Sequence, residues 1–170
     1  MIHIRQAKED DIDAIERMYR DRVAFNNEHK IPQWRYDQVT WDALSELYAI
    51  KDYYVGVANH EIVCGCFIVD VDLLYWPDEP KGAALYLHKI VVHPAQSGLG
   101  YADALISFFK TKGEEEGFPC VRIDVRAQKA KLRAMYERNG FILQRIAQFV
   151  PEFETALYQV NFDEKKAGSM

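Results

Sequence analysis

Hydrophobic residues along the chain recur at two spacings, one typical of strands and one typical of amphipathic helices. Alternating apolar residues at the N-terminus predict a short first strand. Residues 8–25 then carry apolar side chains at helical spacing, and acidic residues at the start of this stretch suit the helix dipole. Thr40 is placed to cap a second helix over residues 41–50 through its hydroxyl.

The rest of the chain predicts six strands and two helices. A helix follows the glycines near residue 100 and ends near Gly113, and Asn139–Gly140 closes a second, shorter one. The resulting order is β-α-α-β-β-β-α-β-α-β-β, which predicts one α/β domain over residues 1–163 and a disordered tail over 164–170. The predicted strands of this part lie within 52–58, 60–72, 83–92, 119–125, 141–148 and 154–162.

Composition narrows the class of protein. The chain has 170 residues and a net charge of −5, which opposes nucleic-acid binding through a basic surface. No stretch has the length and apolarity of a membrane span, so no membrane partner is expected. Three cysteines without a secretion signal predict reduced thiols and a cytoplasmic location. Cys64 and Cys66 have no second cysteine pair to complete a metal site, so core packing is favoured and no metal is expected.

Gly98 and Gly100 interrupt the pattern between a hydrophobic strand and a helix. The Walker A motif requires a lysine after its last glycine, where Tyr101 stands, and the dinucleotide fingerprint requires a small residue where Asp103 stands. Bare backbone N–H groups at a helix N-terminus can bind a pyrophosphate without a lysine. The alternative is a tight strand–helix turn with no ligand.

This stretch resembles motif A of the GNAT superfamily, the acyl-CoA-dependent N-acyltransferases. Gly100 and Ala102 match the pattern Arg/Gln-x-x-Gly-x-Gly/Ala, whereas Ser97 stands where the family usually has Arg or Gln. LHKIVVHP is similar to the family's central strand, and MYERNGF to a later conserved block. The resemblance implies an α/β fold with a mixed, mostly antiparallel twisted sheet of about seven strands, flanked by about four helices. Its central strand would be bulged and would open to bind acyl-CoA.

The resemblance also implies acetyl-CoA as the co-substrate. It assigns the acetyl oxygen and the pantetheine arm to the backbone of the central strand, and the pyrophosphate to the glycine turn. Lys129 stands where the family often has Asn, so it either reaches a phosphate or is a solvated surface residue. The implied binding residues are Ile90, Val91, Val92, Ser97, Gly98, Leu99, Gly100, Tyr101, Ala102 and Lys129.

N-acylation requires an amine that has lost its proton and a thiolate that receives one. The resemblance places Tyr136 at the thioester sulfur as the acid, although its helical spacing also suits a core tyrosine. His88 and Tyr86 lie two apart on a predicted strand and so point to one face. Similarity to arylalkylamine N-acetyltransferases implies that they handle the amine proton; a hydrogen-bonded core histidine is the alternative.

The acceptor is the least constrained part of the prediction. Trp34 and Tyr36 lie in a loop that suits either an aromatic platform for a small-molecule or peptide amine, or an apolar lid. The predicted function is acetyl transfer from acetyl-CoA to a primary amine by direct attack in a ternary complex. The alternative is a non-catalytic acyl-CoA sensor, against which retention of Tyr136 and His88 argues. Exposed aromatic side chains are also compatible with a homodimer.

Overall fold

The structure is a computed structural model that describes residues 1–162, so the predicted tail over 164–170 lies outside the described residues. The order of elements predicted from the sequence is confirmed. The strands are β1 (His3–Gln6), β2 (Tyr53–Ala58), β3 (Glu61–Val69), β4 (Leu85–Val92), β5 (Cys120–Arg126), β6 (Ile142–Val150) and β7 (Phe153–Asn161). The helices are α1 (Ile12–Glu28), α2 (Trp41–Ser45), α3 (Tyr101–Glu115) and α4 (Ala130–Arg138).

The strands form one seven-stranded sheet in the order β1-β2-β3-β4-β5-β7-β6. β4 and β5 are parallel, whereas β1–β2, β2–β3, β5–β7 and β6–β7 are antiparallel. The expected mixed, mostly antiparallel sheet with four flanking helices is therefore confirmed. Among residues 1–162, no helix is long and apolar enough to cross a membrane.

The chain packs as two compact units. The first comprises Met1–Ile68 and Lys89–Leu105, and the second comprises Val69–His88 and the described residues from 106 onward. The chain passes from one unit to the other inside β4 and inside α3. The assignment of residues 1–163 to one domain stays a prediction.

In the first unit, α1 buries one apolar stripe, as its spacing predicts. Its inward side chains pack in a core with Tyr53, Val55 and Phe67 of the sheet; they are Ile15, Met18, Tyr19 and Val23. The side chain of Thr40 caps α2 by accepting from the Ala43 N–H at 3.2 Å, as predicted. However, α2 ends at Ser45 rather than near residue 50, and the Tyr48 ring that follows stacks on Phe67 at 4.4 Å. Tertiary packing of Tyr48 thus overrides the helical tendency of this segment.

In the second unit, α3 continues to Glu115, two residues beyond the predicted end at Gly113. A Cβ atom at Gly113 would lie 3.1 Å from Phe162 and 3.3 Å from Val121, so this glycine permits close packing of the helix. Gly113 therefore serves helix packing, and the left-handed residue after the helix is Gly117 at φ 85°. All three cysteines are buried and free, which confirms core packing.

Candidate functional site

The glycine turn lies in the first unit, at the start of α3. Gly98 and Gly100 both have φ 81°, in the left-handed region that favours glycine. A Cβ atom at either position would meet no heavy atom within 4 Å, so open space adjoins the turn. α3 begins at Tyr101, and the N–H groups of a first helical turn lack acceptors within the helix. The turn therefore has the backbone conformation and the room to receive an anion.

Arg22 of α1 reaches this turn, which the sequence did not indicate. Its Nε and Nη2 atoms donate to the Val92 carbonyl at 3.0 and 2.7 Å, and Nη2 also donates to the Ser97 hydroxyl at 3.1 Å. The end of β4 and the first residue of the turn are thus held by one guanidinium. Val91 and Val92 are two of the three β4 residues predicted to bind the acyl donor through their backbone. The Val92 carbonyl already accepts from Arg22, and the Val91 side chain is buried.

The extended backbone of β4 is interrupted just before Ile90. Lys89 has φ 58°, a conformation that is costly for a residue with a Cβ and typical of a bulged strand. Its carbonyl accepts from the buried Tyr19 hydroxyl at 2.5 Å, and that hydroxyl accepts from Tyr53 at 3.0 Å. The expected break in the central strand is therefore present, and two tyrosines of the core hold it in place.

The two aromatic residues predicted to bind the acceptor differ in their surroundings. Trp34 packs against the core of the first unit, with its ring 5.4 Å from that of Tyr19. The Lys89 ammonium lies 5.5 Å from the centre of the Trp34 ring, so Trp34 adjoins the break in β4. Tyr36 is 48% exposed and lies in a short 3-10 turn. Trp34 therefore adjoins the break in β4 and Tyr36 is exposed in its turn, and acceptor binding by these two residues stays a prediction.

In the second unit, His88 lies between two carboxylates. Its Nε2 atom is 3.4 Å from Asp72, and its Nδ1 atom is 3.2 Å from Asp124. The parallel register pairs Leu87 with Ile123, and this brings the next residues of β4 and β5, His88 and Asp124, side by side. Each carboxylate can accept a hydrogen bond from the ring nitrogen that it faces, so the two Asp residues fix the orientation of the His88 ring.

Asp72 is held rigidly by its own loop. Its Oδ1 atom accepts from the backbone N–H groups of Leu74 and Tyr75, both at 3.0 Å, which leaves Oδ2 for His88. Burial raises the pKa of the neighbouring Tyr75 to about 12, so this phenol stays protonated at neutral pH. A fixed, buried carboxylate at one nitrogen orients the His88 ring, as an acid–base histidine requires.

Tyr86 is next to His88, as predicted, but it is fully buried. Its ring stacks parallel to that of His88 with centroids 6.5 Å apart, and its hydroxyl accepts from Arg122 Nη1 at 2.9 Å. Arg122 also donates to Glu79 at 3.2 Å, and its guanidinium lies 3.9 Å from the centre of the Trp76 ring. Burial raises the pKa of Tyr86 against the opposing effect of Arg122. These contacts suit a group that positions His88 better than one that meets the amine.

The remaining predicted residues lie at α4. Tyr136 is buried, and its ring centre is 6.2 Å from those of Phe141 and Tyr158. Lys129 precedes the first residue of the helix, and burial, followed by repulsion from Arg126, lowers its pKa. Tyr136 is therefore a packed ring, as its helical spacing allowed, and its catalytic role stays a prediction.

Asp72, His88 and Asp124 also offer three ligand atoms within 4.8 Å of one another, which is compatible with a metal ion. However, the two carboxylates approach opposite nitrogens of the ring, and an ion would engage only one of these nitrogens. The expectation that the protein holds no metal stays a prediction.

The sequence did not identify Arg22, Asp72 or Asp124. One local signal was available for Asp124, because Arg122 and Asp124 alternate with apolar residues on β5 as Tyr86 and His88 do on β4. No local signal marks Arg22 or Asp72, since each is separated from its partner by many residues of chain.

This combination of a broken central strand, a glycine turn and a mixed sheet defines the class of protein. A family model for the acetyltransferase (GNAT) family matches residues 15–141. The chain belongs to the GNAT acetyltransferase family. No curated protein is significantly similar to it in sequence.

Solved structures share the fold over nearly the whole chain. A GNAT-family acetyltransferase from Listeria monocytogenes is 23% identical and has a TM-score of 0.78, covering 95% of each chain. The ribosomal-protein-S18-alanine N-acetyltransferase of Escherichia coli is 18% identical with a TM-score of 0.68, covering 95% of this chain and 94% of that one. The yncA protein of Salmonella typhimurium, in a structure with its cofactor acetyl-CoA, is 19% identical with a TM-score of 0.67, covering 96% and 95%.

Proposed function

We propose that this protein is an acetyl-CoA-dependent N-acetyltransferase that acetylates a primary amine by direct attack in a ternary complex. The observation that carries the proposal is the glycine turn at the start of α3, where Gly98 and Gly100 are left-handed and open to space on a chain of the GNAT family. A structural neighbour that contains acetyl-CoA supports the choice of co-substrate. The three reduced cysteines support a cytoplasmic location.

The turn from Ser97 to Ala102 binds the pyrophosphate through backbone N–H groups. Open space at both glycines fits this role, because a side chain there would occupy the place of the ligand. Ile90, Val91 and Val92 follow the break at Lys89 and bind the pantetheine arm and the acetyl oxygen through their backbone. We assign Lys129 to a phosphate of the acyl donor, because burial and the neighbouring Arg126 lower its pKa and a bound anion would stabilise its charge.

His88 removes the proton from the acceptor. An ammonium gives one proton to the neutral imidazole, and the Asp72 carboxylate at 3.4 Å stabilises the imidazolium that forms. Tyr86 keeps the ring in place by stacking. Asp124 is the more exposed of the two carboxylates, so it is the one available to attract a cationic amine.

Tyr136 completes the transfer. The amine nitrogen forms a bond to the thioester carbonyl carbon, the carbon–sulfur bond breaks, and the Tyr136 hydroxyl gives its proton to the sulfur. The amide nitrogen loses its remaining excess proton to solvent, His88 releases the proton that it took from the ammonium, and Tyr136 regains a proton from solvent. The acceptor is a small molecule or an amino terminus held beside Trp34 and Tyr36.

The test has two stages. Calorimetry with acetyl-CoA should show binding, and a panel of small amines and N-terminal peptides should then show release of free coenzyme A thiol. EDTA should leave the rate unchanged, because no metal takes part. Absence of acetyl-CoA binding would refute the proposal. Binding without turnover on any amine would support the non-catalytic sensor instead.

A further inference from the structure

Arg22 is a half-buried cation whose partners are all neutral. Its hydrogen bonds go to the Val92 carbonyl, the Ser97 hydroxyl and, at 3.4 Å, the Asn26 side-chain oxygen. Among the residues that the structure describes, no carboxylate lies within ion-pair distance of its guanidinium. Burial without a counterion accordingly lowers the pKa of Arg22.

Two other arginines near the cores have the counterion that Arg22 lacks. Arg5 pairs with Asp11 at 2.8 Å, and Arg122 pairs with Glu79 at 3.2 Å. Removing a charge from water without a compensating partner is costly, so an uncompensated guanidinium indicates an anion that is bound from outside the chain.

The position of Arg22 indicates which anion. Its Nη2 atom is 3.1 Å from Ser97, the first residue of a turn that otherwise lacks a lysine or arginine from residue 93 to 102. A guanidinium has five N–H donors, and the contacts above use four of them, so one Nη1 donor remains for a ligand oxygen. Arg22 thus places a positive charge at the first residue of the open turn, and one of its Nη1 donors is not used by these contacts.

We propose that Arg22, carried on α1, is a binding residue for the pyrophosphate of the acyl donor and supplies the positive charge that the glycine turn itself lacks. This inference rests on the proposed function. A guanidinium beside a turn of backbone N–H groups gives phosphate both charge and directed hydrogen bonds, which are stronger than neutral ones. Ser97 is short and exposed, and it leaves room for this side chain to reach the turn from another element.

The competing explanation is that Arg22 is only structural and connects α1 to the end of β4 through its hydrogen bonds. The two roles differ in their dependence on phosphate. If Arg22 is only structural, its substitution should weaken the binding of every ligand of β4. These ligands include S-acetylpantetheine, which has the same thioester arm and no pyrophosphate. If Arg22 binds the phosphate, its substitution should weaken acetyl-CoA binding and leave the affinity for S-acetylpantetheine unchanged.

The experiment compares Arg22→Gln with Arg20→Gln, which removes the same charge from an exposed position of the same helix. Both are titrated with acetyl-CoA, S-acetylpantetheine and inorganic pyrophosphate, after thermal melting has shown that they are folded. We expect Arg22→Gln to weaken acetyl-CoA and pyrophosphate binding by roughly tenfold to a hundredfold, the size of a charged hydrogen bond. Arg20→Gln should bind as the wild type does, and S-acetylpantetheine should not distinguish the variants.

A second variant restores the positive charge by placing an arginine in the glycine turn. Ser97→Arg in the Arg22→Gln background should recover most of the acetyl-CoA affinity, and Arg22→Lys should recover part of it, because charge persists but the forked geometry is lost. The inference is overturned if Arg22→Gln binds acetyl-CoA and pyrophosphate as Arg20→Gln does, or if S-acetylpantetheine weakens equally. Pyrophosphate binding that depends on Arg22 without any acetyl-CoA binding would keep Arg22 as a phosphate-binding residue and would refute the proposed function.

Discussion

Gly100→Ala separates the two properties that the glycine turn combines, a left-handed backbone and an open surface. Gly100 has φ 81°, and a Cβ atom there would meet nothing within 4 Å. The ligand-free protein therefore suffers no clash, and the expected destabilisation is only that of an alanine in the left-handed region, about 1–2 kcal/mol. For a chain of this size that corresponds to a drop in melting temperature of roughly 2–8 °C.

The loss of acetyl-CoA affinity should be larger than the loss of folding stability and independent of it. A methyl group at this position projects into the space assigned to the pyrophosphate and displaces one charged hydrogen bond, worth about 1.5–3 kcal/mol. The dissociation constant should then rise by about tenfold to a hundredfold. Calorimetry with acetyl-CoA measures the dissociation constant directly, and thermal melting without ligand measures the loss of stability.

Gly117→Ala is the matched control. Gly117 follows α3, has φ 85° and likewise has no heavy atom within 4 Å of an added Cβ. It should lose the same stability as Gly100→Ala and keep wild-type affinity for acetyl-CoA. Equal dissociation constants for the two variants would show that the turn at Gly100 is structural and does not contact the ligand.

Three further predictions concern catalysis and the buried thiols. Tyr136→Phe should keep the fold and lower kcat by roughly a hundredfold or more. As a control, Tyr158→Phe removes the hydroxyl that bonds Arg133 and Glu137, so it should lose stability and keep kcat. Equal single-turnover rates for Tyr136→Phe and wild type would contradict the catalytic role of Tyr136. Asp72→Asn should lower kcat, because the carboxylate that faces His88 Nε2 and stabilises the imidazolium formed during proton transfer is lost; an unchanged kcat would make Asp72 a structural residue only. Burial raises the pKa of Cys64 to about 12, so native Cys64 should not react with a thiol reagent at pH 8. The Cys64 thiol ionises at lower pH in the unfolded chain than in the native protein, so the free energy of unfolding should fall as pH rises above about 8.5. Rapid labelling of Cys64 in the native protein would contradict the raised pKa.

The sequence was sufficient where one segment determines its own structure. Apolar spacing determined α1 and its buried stripe, and the glycines at 98 and 100 indicated a turn before α3, whose left-handed conformation the structure then showed. These features depend on neighbours a few residues apart, so local sterics and periodicity decide them. α2 shows the limit of this reasoning, since Thr40 caps it as predicted and packing of Tyr48 ends it early.

Only the tertiary structure decided which side chains meet. The parallel register of β4 and β5 places His88 beside Asp124 and Tyr86 beside Arg122, 36 residues apart in each case. Arg22 reaches Ser97 across 75 residues. Pairings of this kind depend on strand order and register, which are set by the collective burial of both faces of the sheet. The alternation on β4 and on β5 therefore marks polar positions without showing which of them pair. The sequence by itself therefore determined the elements, the family and the position of the glycine turn. The strand order and the packing of α1 decided which charges surround that turn and the histidine.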